Sequence, residues 1–447
     1  MPTLKFPRQE PIGSPMGNII RSLFVAAMCA GLAGCAVEEE DPVAAEIALL
    51  KQDFPPMADR PPADPTNGVA DDAAAARLGQ KLFFEQRYSE NGQVSCATCH
   101  NPGTAYQDDR NNTALGLDFT GRHTPTVLNA AHVVDPETDT NWMFWDGRKD
   151  SMWSQALGPP EDAKEMGGSR MGIAFMLYDL YKEEYEAVFG AMPTLRDEDG
   201  TALFATEGKP GTDAWDALSA EDQNAFSRVY SNFGKAIAAY ERLVVSGNSA
   251  YDKWYAEVVD GGAADSSHLS ASARRGLSLF IGKAACGTCH NGAAFSDGGF
   301  HNTGVEQSGP HLPAEDYGRA DGMASMVADE FNCAGEFSDH PNKDRCAAAH
   351  AEDLEARQGA FKTPPLRNVA LSAPYMHTGT LKTLAEVVEF YDDGGSDSGF
   401  SGEKDEEIVP LNLSESEQAD LVAFLESLTG EDVPAELTTE PELPPDP

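Results

Sequence analysis

The chain has 447 residues, enough for two or three domains, and 41% of them are hydrophobic, so a packed core can form. It carries 32 Lys and Arg against 73 Asp and Glu, a formal net charge of −41. Nucleic acid is excluded as a partner, because binding it requires a basic surface. Solubility explains such acidity most simply, and attraction of a basic partner is the functional alternative.

The first 34 residues have the layout of an export signal, predicted as a lipoprotein signal peptide over 1–34. Arg21 precedes the apolar run 23–34, which is too short to span a bilayer. The run ends in Leu-Ala-Gly-Cys, which resembles a lipoprotein box, and Cys35 would be the lipidated residue. An ordinary signal peptide with a coincidental cysteine is the alternative. The sequence predicts a periplasmic location, with a lipid anchor as the sole membrane attachment. The alanine after the cysteine favours the outer membrane. Residues 35–70 are predicted to be an acidic flexible linker.

The first half of the chain, 71–250, is predicted to be mostly helical. The pattern Ala-Arg-x-Gly-x-x-Leu-Phe at 76–83 precedes the motif Cys-Ala-Thr-Cys-His at 96–100. Apolar residues at i, i+3, i+4 and i+7 predict two further helices, over 173–190 and 225–245.

The second half, 251–430, repeats this plan. The same eight-residue pattern recurs at 273–280, ahead of Cys-Gly-Thr-Cys-His at 286–290. Helical periodicity predicts closing helices over 381–391 and 416–428. Strand patterns are sparse, so the predicted fold class is mainly α, with two similar domains that arose by internal duplication and carry long loops.

Two features lie outside this plan. Cys333 and Cys346 remain after the motif cysteines, and in an oxidising compartment they predict a disulfide that closes a short loop. Metal binding by this pair with His340 or His350 is the alternative. The acidic, Pro-rich segment 431–447 is predicted to be a disordered tail.

The paired Cys-x-x-Cys-His motifs carry the chemistry. A zinc site would need all four cysteines together, yet the pairs stand in separate halves, and a thiol–disulfide site would need a thioredoxin-like βαβ unit. A c-type haem needs two thiols for thioether bonds and the adjacent histidine for iron. The sequence therefore predicts two cytochrome c-like domains with covalent haems, attached through Cys96, Cys99, His100, Cys286, Cys289 and His290.

Beyond the motifs, the chain resembles the bacterial di-haem cytochrome c peroxidase superfamily, which includes the MauG-type enzymes. The resemblance runs from about residue 76 to 428 and rests on three ordered blocks: RHTPTVLNAA (122–131), FWDGRKDSMWSQALGPPEDAKEM (144–166) and FKTPPLRNVALSAPYMHTGTLKTLAEVVEFY (361–391). It implies that the N-terminal haem reacts with hydrogen peroxide and that the C-terminal haem relays electrons.

The same resemblance implies roles for four residues. Glu165 would move a proton between the peroxide oxygens, and Gln155 would orient it by a hydrogen bond. Pro159 would pack over the open face of the iron, and Trp145 would carry electrons between the haems. Without the resemblance, Glu165 would be a surface carboxylate among many and Trp145 a core tryptophan.

Two departures from the family's peroxidases bear on the subtype. The stretch 101–122 contains no histidine that could close the first haem, so this haem is expected to be open at rest. At the second haem, Tyr391 stands where peroxidases place a methionine, as in the MauG-type enzymes, and a phenolate ligand favours higher oxidation states. Met376 is the rival ligand, and a tyrosine that merely ends an amphipathic helix is the alternative.

A calcium ion between the domains is a further implication of the resemblance. Its contacts here would include Ser372 and Pro374. The family's asparagine ligand is replaced by His123, and calcium prefers oxygen. The sequence therefore leaves the calcium site open.

The predicted function is reaction with hydrogen peroxide, coupled in the MauG-like manner to oxidation of side chains in a partner protein. Detoxification of peroxide with electrons from a small redox protein, a c-type cytochrome or a cupredoxin, is the first alternative. A non-catalytic di-haem electron carrier is the second. Relatives in the superfamily commonly dimerise, so a homodimer is also implied.

Overall fold

The computed structural model describes residues 42–341 and 354–445, and its regular structure is almost entirely helical, as predicted. The α-helices, in chain order, are α1 (Pro42–Asp53), α2 (Ala73–Phe84), α3 (Cys96–Cys99), α4 (Met152–Gln155), α5 (Gly158–Glu161), α6 (Arg170–Leu180), α7 (Lys182–Phe189), α8 (Asp213–Asp216), α9 (Ala220–Glu241), α10 (Ala250–Tyr255), α11 (Ala271–Ile281), α12 (Arg319–Ala328), α13 (Leu384–Asp392), α14 (Glu415–Glu426) and α15 (Ala435–Thr438).

Short turns and one small sheet complete the secondary structure of the described ranges. Strands β1 (Phe300–His301) and β2 (Phe361–Lys362) pair antiparallel, with Phe300 opposite Lys362. Single 3₁₀ turns lie at Pro102–Thr104, Ala130–His132, Cys286–Thr288 and Val369–Leu371, and a π-helical turn lies at Ala256–Asp260.

Helices α2 and α9 form the centre of the first half. Asp72 caps α2 by accepting hydrogen bonds from the backbone N–H groups of its first turn. Leu82 and Phe83 of α2 are fully buried. Gly79 lets the two helices touch, because a Cβ atom there would lie 1.8 Å from the carbonyl oxygen of Ala236.

The second half repeats this arrangement with α11 and α14. Ser270 caps α11, and Phe280 is buried. Gly276 takes the place of Gly79: a Cβ atom there would lie 2.0 Å from the carbonyl oxygen of Asp420 in α14. The duplicated sequence pattern thus marks a duplicated helix pair, and each pair carries a Cys-x-x-Cys-His motif on the segment that follows its first helix.

The helix expected over 173–190 is divided in two. Tyr181 separates α6 from α7, and its hydroxyl donates a 2.6 Å hydrogen bond to Glu85. The chain therefore turns at Tyr181, although the apolar period continues across it.

The predicted flexible linker over 35–70 is wrong for its described part. Helix α1 occupies much of it, and Phe54 is fully buried between Phe280 and Phe295. Thr66 accepts a 2.9 Å hydrogen bond from the indole of Trp153. Isolated apolar and hydroxyl side chains fix this segment despite its acidic, Pro-rich composition.

The predicted disordered tail over 431–447 is also wrong for its described part. It contains α15, and the carbonyl oxygen of Leu437 accepts hydrogen bonds from Tyr240 (2.6 Å) and Tyr106 (3.2 Å). Arg87 donates to the carbonyl oxygen of Pro444 at 3.0 Å. Buried tyrosine hydroxyls need acceptors, and the tail supplies them.

Some predictions fall on residues outside the description. The signal peptide and Cys35 lie there, as does Cys346. Cys333 is buried and disulfide-bonded. Its predicted partner, Cys346, lies outside the described residues, so this pairing stays a prediction. In the described ranges, no helix combines the length and the apolar character needed to cross a membrane.

Candidate functional site

One cavity in the first half gathers the residues expected to handle peroxide. Its lining comes from the first motif, from α4 and α5, and from the loop that follows α5. It includes Cys96, Cys99, His100, Gln155, Pro159 and Glu165. Ile237 and Glu241 of α9 also line it, so residues up to 147 positions apart in sequence share one cavity.

The first motif has the chemistry of a haem attachment site. Nδ1 of His100 lies 3.1 Å from the carbonyl oxygen of Tyr106, so Nδ1 carries the hydrogen and Nε2 is left to coordinate a metal. Burial lowers the pKa of His100 and raises the pKa of both Cys96 and Cys99 to about 12. Thiol–disulfide catalysis requires a lowered thiol pKa, so this pair is unsuited to it.

Glu165 is held at the cavity by its backbone. Its carbonyl oxygen accepts a 3.0 Å hydrogen bond from the N–H of Leu117, and Gly116 packs so closely that a Cβ atom there would lie 2.2 Å from that oxygen. Burial raises the pKa of Glu165 to about 7; Arg148 opposes the rise and Asp162 adds to it. A carboxyl group that titrates near neutral pH can accept a proton and return it.

Gln155 and Pro159 line the cavity beside Glu165. No hydrogen bond joins the side chains of Gln155 and Glu165 in the described structure, so the orienting role of Gln155 stays a prediction. Pro159 lies in the first turn of α5. A proline side chain presents only carbon to its surroundings, so it can cover a metal centre without ligating it.

A larger cavity, of about 460 Å³, lies around the second motif. Its lining includes Cys286, Cys289, His290, Met376, Tyr391, Trp145, Ser372 and Pro374. Nδ1 of His290 lies 3.0 Å from the carbonyl oxygen of Phe295, the same arrangement as at His100. Burial lowers the pKa of His290 and raises that of Cys286 to about 12.

The segments that lead into α4 and α13 follow the same course beside their cavities. Phe144 and Met376 both have left-handed backbone, with φ of +64° and +68°. Ser151 and Thr383 then cap α4 and α13 with their side chains. Aligning these two segments on Ser151 and Thr383 therefore gives a residue-by-residue correspondence between the two halves.

This register places Pro159 and Tyr391 at equivalent positions, each eight residues after its cap. Burial raises the pKa of Tyr391, and a hydrogen bond to Thr303 opposes the rise. The second cavity thus has an oxygen donor where the first has a carbon ring. Met376, the rival ligand, matches Phe144 in the same register.

Trp145 lies where the two halves meet. It lines the second cavity, and its indole N–H donates a 2.8 Å hydrogen bond to the carbonyl oxygen of His123. The backbone N–H of His123 donates in turn to the carbonyl oxygen of His377 at 2.7 Å. The ring of His377 lies 6.4 Å from that of Trp145.

Comparison with known proteins identifies the family of this chain. A model of the di-haem cytochrome c peroxidase family matches residues 73–260. The methylamine utilization protein MauG of Methylorubrum extorquens is 32% identical over 414 residues, which is 92% of this chain and 92% of that protein. The chain belongs to the di-haem cytochrome c peroxidase family.

Other family members cover the chain as fully. The cytochrome-c peroxidase IdrP1 of Denitromonas iodatirespirans is 31% identical over 93% of this chain and 94% of its own. The crystal structure of a MauG-like protein associated with microbial copper homeostasis has a TM-score of 0.58 at 25% identity, over 87% of this chain and 97% of that chain. The diheme peroxidase BthA from Burkholderia thailandensis shares the fold, with a TM-score of 0.58 at 22% identity.

As a member of this family, the protein is a haem-dependent peroxidase-type oxidoreductase with two c-type haems. The residues present fit both groups. All four motif cysteines are free, and each cavity combines two thiols with a half-buried histidine whose Nδ1 is already engaged. Bound there, each haem supplies an iron that can change oxidation state.

The calcium site implied by the resemblance does not fit. His123 is 4% exposed, and its ring nitrogens lie 3.1 Å from the carbonyl oxygen of Asn112 and 2.9 Å from the amide oxygen of Gln107. The Gln107 amide donates a 2.5 Å hydrogen bond to the carbonyl oxygen of Ala373. Protein atoms therefore already bridge the two halves at this junction.

The other two residues that the resemblance gives as calcium contacts, Ser372 and Pro374, line the second haem cavity. The ammonium group of Lys382 bonds to the side chain of Asn112 and, at 2.7 Å, to the carbonyl oxygen of Gly379. A cation and a histidine thus occupy a junction where calcium would need six or more oxygen ligands.

Sequence reasoning missed Glu241, a second carboxyl group at the first cavity. It ends α9, is 5% exposed and lines the cavity one turn after Ile237. Burial raises its pKa to about 8. An acidic residue in the apolar C-terminal part of α9 was the available clue.

A second repeat was also missed. Asn129 and Asn368 both have left-handed backbone, with φ of +61° and +64°, and both are followed by a 3₁₀ turn. Their side chains meet at Ser246, whose carbonyl oxygen accepts from both amides at 2.9 and 3.3 Å. The sequence pattern Thr-Pro-x-x-x-Asn, which occurs in both halves, could have revealed this repeat.

Proposed function

We propose that the protein reduces hydrogen peroxide at the haem of His100 and takes electrons from a protein partner through the haem of His290, in the MauG-like manner. The pairing of Pro159 at one cavity with Tyr391 at the other carries this proposal. A proline leaves one iron accessible to peroxide. Tyr391 would hold the other iron through its phenolate oxygen, which would favour the higher oxidation states that are needed to oxidise side chains of a partner.

Glu165 is the proposed acid and base at the first haem. It takes a proton from the oxygen of peroxide that approaches the iron and returns it to the departing oxygen. The overall reaction consumes two electrons and two protons for each peroxide and yields two waters. The buried carboxyl group of Glu241 at the same cavity is a second place where a proton can be held.

Trp145 is the proposed path for electrons between the haems. Its indole lines the second cavity and is anchored to the backbone of the first half through His123. An aromatic ring at this junction shortens the distance that an electron must cross. Trp145→Phe keeps a ring there but removes the oxidisable indole, so slower electron transfer in Trp145→Phe as well as in Trp145→Ala supports this role, whereas slowing in the alanine variant alone would indicate packing.

Stopped-flow spectroscopy of the fully ferric protein tests the proposal. Added peroxide is expected to change the spectra of both haems, and the resting protein should contain one high-spin and one low-spin iron. If only the half-reduced protein reacts, the enzyme works as a peroxidase that must first be primed. If neither form reacts and both irons are low-spin, the protein is an electron carrier.

Peroxide detoxification with electrons from a small redox protein is the second candidate. The relatives named cytochrome-c peroxidase cover this chain as fully as those named MauG, which favours it. A c-type cytochrome or a cupredoxin would then be the donor. Turnover of peroxide with a reduced redox protein, without covalent change to that protein, distinguishes this candidate from side-chain oxidation.

For location, we propose the periplasmic side of the outer membrane, with Cys35 as the lipid anchor. The apolar run and lipoprotein box of the sequence support this. Membrane fractionation of cells that express Cys35→Ala tests it: release of the protein into the soluble periplasm is expected. Sedimentation of the purified enzyme tests the proposed homodimer.

A further inference from the structure

A charged cluster lies beside the haem-attachment segment of the second half. The ring of His301 stands between two carboxylates: Nε2 lies 2.9 Å from Asp297, and Nδ1 lies 3.0 Å from Asp405 in the loop after α13. The Sγ atom of Cys289, a carboxylate oxygen of Asp297 and a ring nitrogen of His301 all lie within 4.8 Å of one another. His301 also lines the second cavity. The cluster is therefore placed at the edge of the haem that Cys289 would attach.

The hydrogen-bond geometry determines the charge of His301. A carboxylate only accepts hydrogen bonds, so each ring nitrogen that faces one must carry a hydrogen. A neutral imidazole has a single N–H and would turn a lone pair toward one of the two acids. His301 is therefore an imidazolium ion. Together with Asp297 and Asp405 it forms a cluster with a net charge of about −1, the sum of two carboxylates and one cation.

The first half has an equivalent aspartate. Asp108 stands two residues after Tyr106, whose carbonyl oxygen faces the motif histidine. Asp297 stands two residues after Phe295, which does the same in the second half. Each aspartate accepts a hydrogen bond from the backbone N–H of the residue two positions further on, at 3.0 and 2.8 Å. Asp108 and Asp297 therefore hold equivalent places at the two haem sites.

The cations at these two aspartates differ. In the first half, the guanidinium group of Arg110 donates to Asp108 at 2.8 and 2.9 Å and to a backbone carbonyl oxygen of the first haem motif at 3.1 Å. The second half has Gly299 at the position of the arginine, and its cation comes from His301. One acid and one cation balance in the first cluster, whereas Asp405 adds a second acid to the other.

We propose that Asp405 lowers the reduction potential of the second haem relative to the first, by adding a negative charge that acts through the imidazolium of His301. Negative charge stabilises an oxidised iron, because oxidation adds positive charge to it. The side chain of Asp405 is 34% exposed, so solvent screens its charge only in part. The inference needs two haems but no particular partner protein.

A lower potential at the second haem favours the passage of one electron from its iron to the first iron. The second iron is oxidised and the first is reduced, and no proton or other reactant is required. The direction of this transfer rests on the proposed function, whereas the difference in charge between the two clusters does not.

Spectroelectrochemical titration of the holoenzyme, without peroxide or a partner protein, measures both potentials. Work at pH 6 keeps a histidine beside a single carboxylate charged. Asp405→Asn removes one negative charge and should shift the equilibrium of the second haem about tenfold toward the ferrous form, or about 59 mV for one electron. His301→Gln removes the positive charge and should shift it about tenfold the other way. The first haem should change less than about twofold in both variants.

Two further variants separate charge from packing. His301→Gln/Asp405→Asn removes one charge of each sign, so the equilibrium of the second haem should return to within about twofold of the wild type. Glu403→Gln removes the same charge as Asp405→Asn from an exposed side chain of the same loop, and it should leave the potential unchanged. The proposal is overturned if Asp405→Asn does not raise the potential, if the double variant stays displaced, or if Glu403→Gln has an equal effect.

The result can be read independently of folding and of the proposed function. Asp405→Asn keeps an oxygen that accepts the N–H of His301, so its potential decides the question even if His301→Gln loses haem. A protein that does not react with peroxide still has two measurable potentials. The expected shifts in an inert protein would reject the proposed function alone, and unshifted potentials in an active one would reject only the role of Asp405.

Discussion

In the proposed function, the protonation of Glu165 would set the pH range in which the first haem can use peroxide. Burial raises the pKa of this carboxyl group to about 7. Its ionised form is the one that can take a proton from peroxide, so the rate constant for peroxide should rise as pH increases through about 7 and level off above. Glu165→Gln should lower this constant by about 10²–10⁴-fold and abolish its pH dependence.

Rapid mixing of ferric protein with peroxide between pH 5 and pH 9 measures this profile. Glu183→Gln, on the exposed face of α7, is the matched control and should reproduce the wild-type curve. A Glu165→Gln variant that keeps the inflection near pH 7 would assign the titration to another group, with Glu241 as the next candidate.

At the second haem, the identity of the axial ligand is tested by single substitutions. With Tyr391 as the proposed ligand, Tyr391→Met would exchange a phenolate for a thioether and should raise the reduction potential of this haem by the order of hundreds of millivolts, because axial ligands span about 0.8 V in haem proteins. Met376→Leu should leave the potential and the spectrum unchanged. Redox titration with magnetic circular dichroism distinguishes the two, and the opposite pattern would make Met376 the ligand.

Among the elements, the paired helices depend on two glycines in equivalent places. Gly276→Ala would force a Cβ atom to within 2.0 Å of the Asp420 carbonyl oxygen, so α11 and α14 must separate. We expect a loss of about 1–3 kcal/mol in the free energy of unfolding. Gly247→Ala is the control, because the nearest heavy atom to its added Cβ is Cε of Met57 at 3.8 Å.

Thermal unfolding of the holoprotein measures both variants. Gly276→Ala should lower the Tm by several degrees, whereas Gly247→Ala should change it little. Equal shifts would mean that the helix pair tolerates the added methyl group by moving, and that the shared glycine is not what holds the helices together.

The same elements show how far sequence reasoning reaches. The haem motifs and the glycine pattern were found because each is a short, continuous stretch of sequence that occurs twice in the chain. The order in the linker and tail was missed because it rests on single residues, Phe54 and Leu437, whose partners lie hundreds of positions away. The break at Tyr181 was missed for a similar reason, since a hydrogen bond to Glu85 overrides the local helical period.

Across the whole molecule, the two halves share one arrangement of helices and haem motifs and differ at a few positions. Each half has a helix pair that meets at a glycine, a half-buried histidine whose Nδ1 faces a carbonyl oxygen, and a capped helix beside its cavity. Pro159 and Tyr391 differ at one equivalent position, so the second cavity has a phenol oxygen where the first has only the carbon atoms of a proline side chain. The two halves can work together only if they are joined rigidly. Direct contacts at His123, Trp145 and Lys382 join them.

This junction leads to the prediction that the enzyme does not depend on calcium. Burial lowers the pKa of His123 to about 4, so its ring is neutral and donates one hydrogen bond, either to the carbonyl oxygen of Asn112 or to the amide oxygen of Gln107. Treatment with EGTA should leave the Tm and both haem spectra of the wild type unchanged. His123→Asn supplies an amide oxygen and opens space at the junction, so this variant should gain a Tm that rises with added calcium.

Differential scanning calorimetry with and without calcium measures the effect, and elemental analysis of the purified protein reports bound metal directly. Saturating calcium at a hundred times its Kd would stabilise His123→Asn by about 2.7 kcal/mol, while the wild type should not respond. A wild-type protein that is purified with one calcium per chain, and that loses its high-spin signal with EGTA, would show that oxygen ligands assemble at this junction despite the histidine.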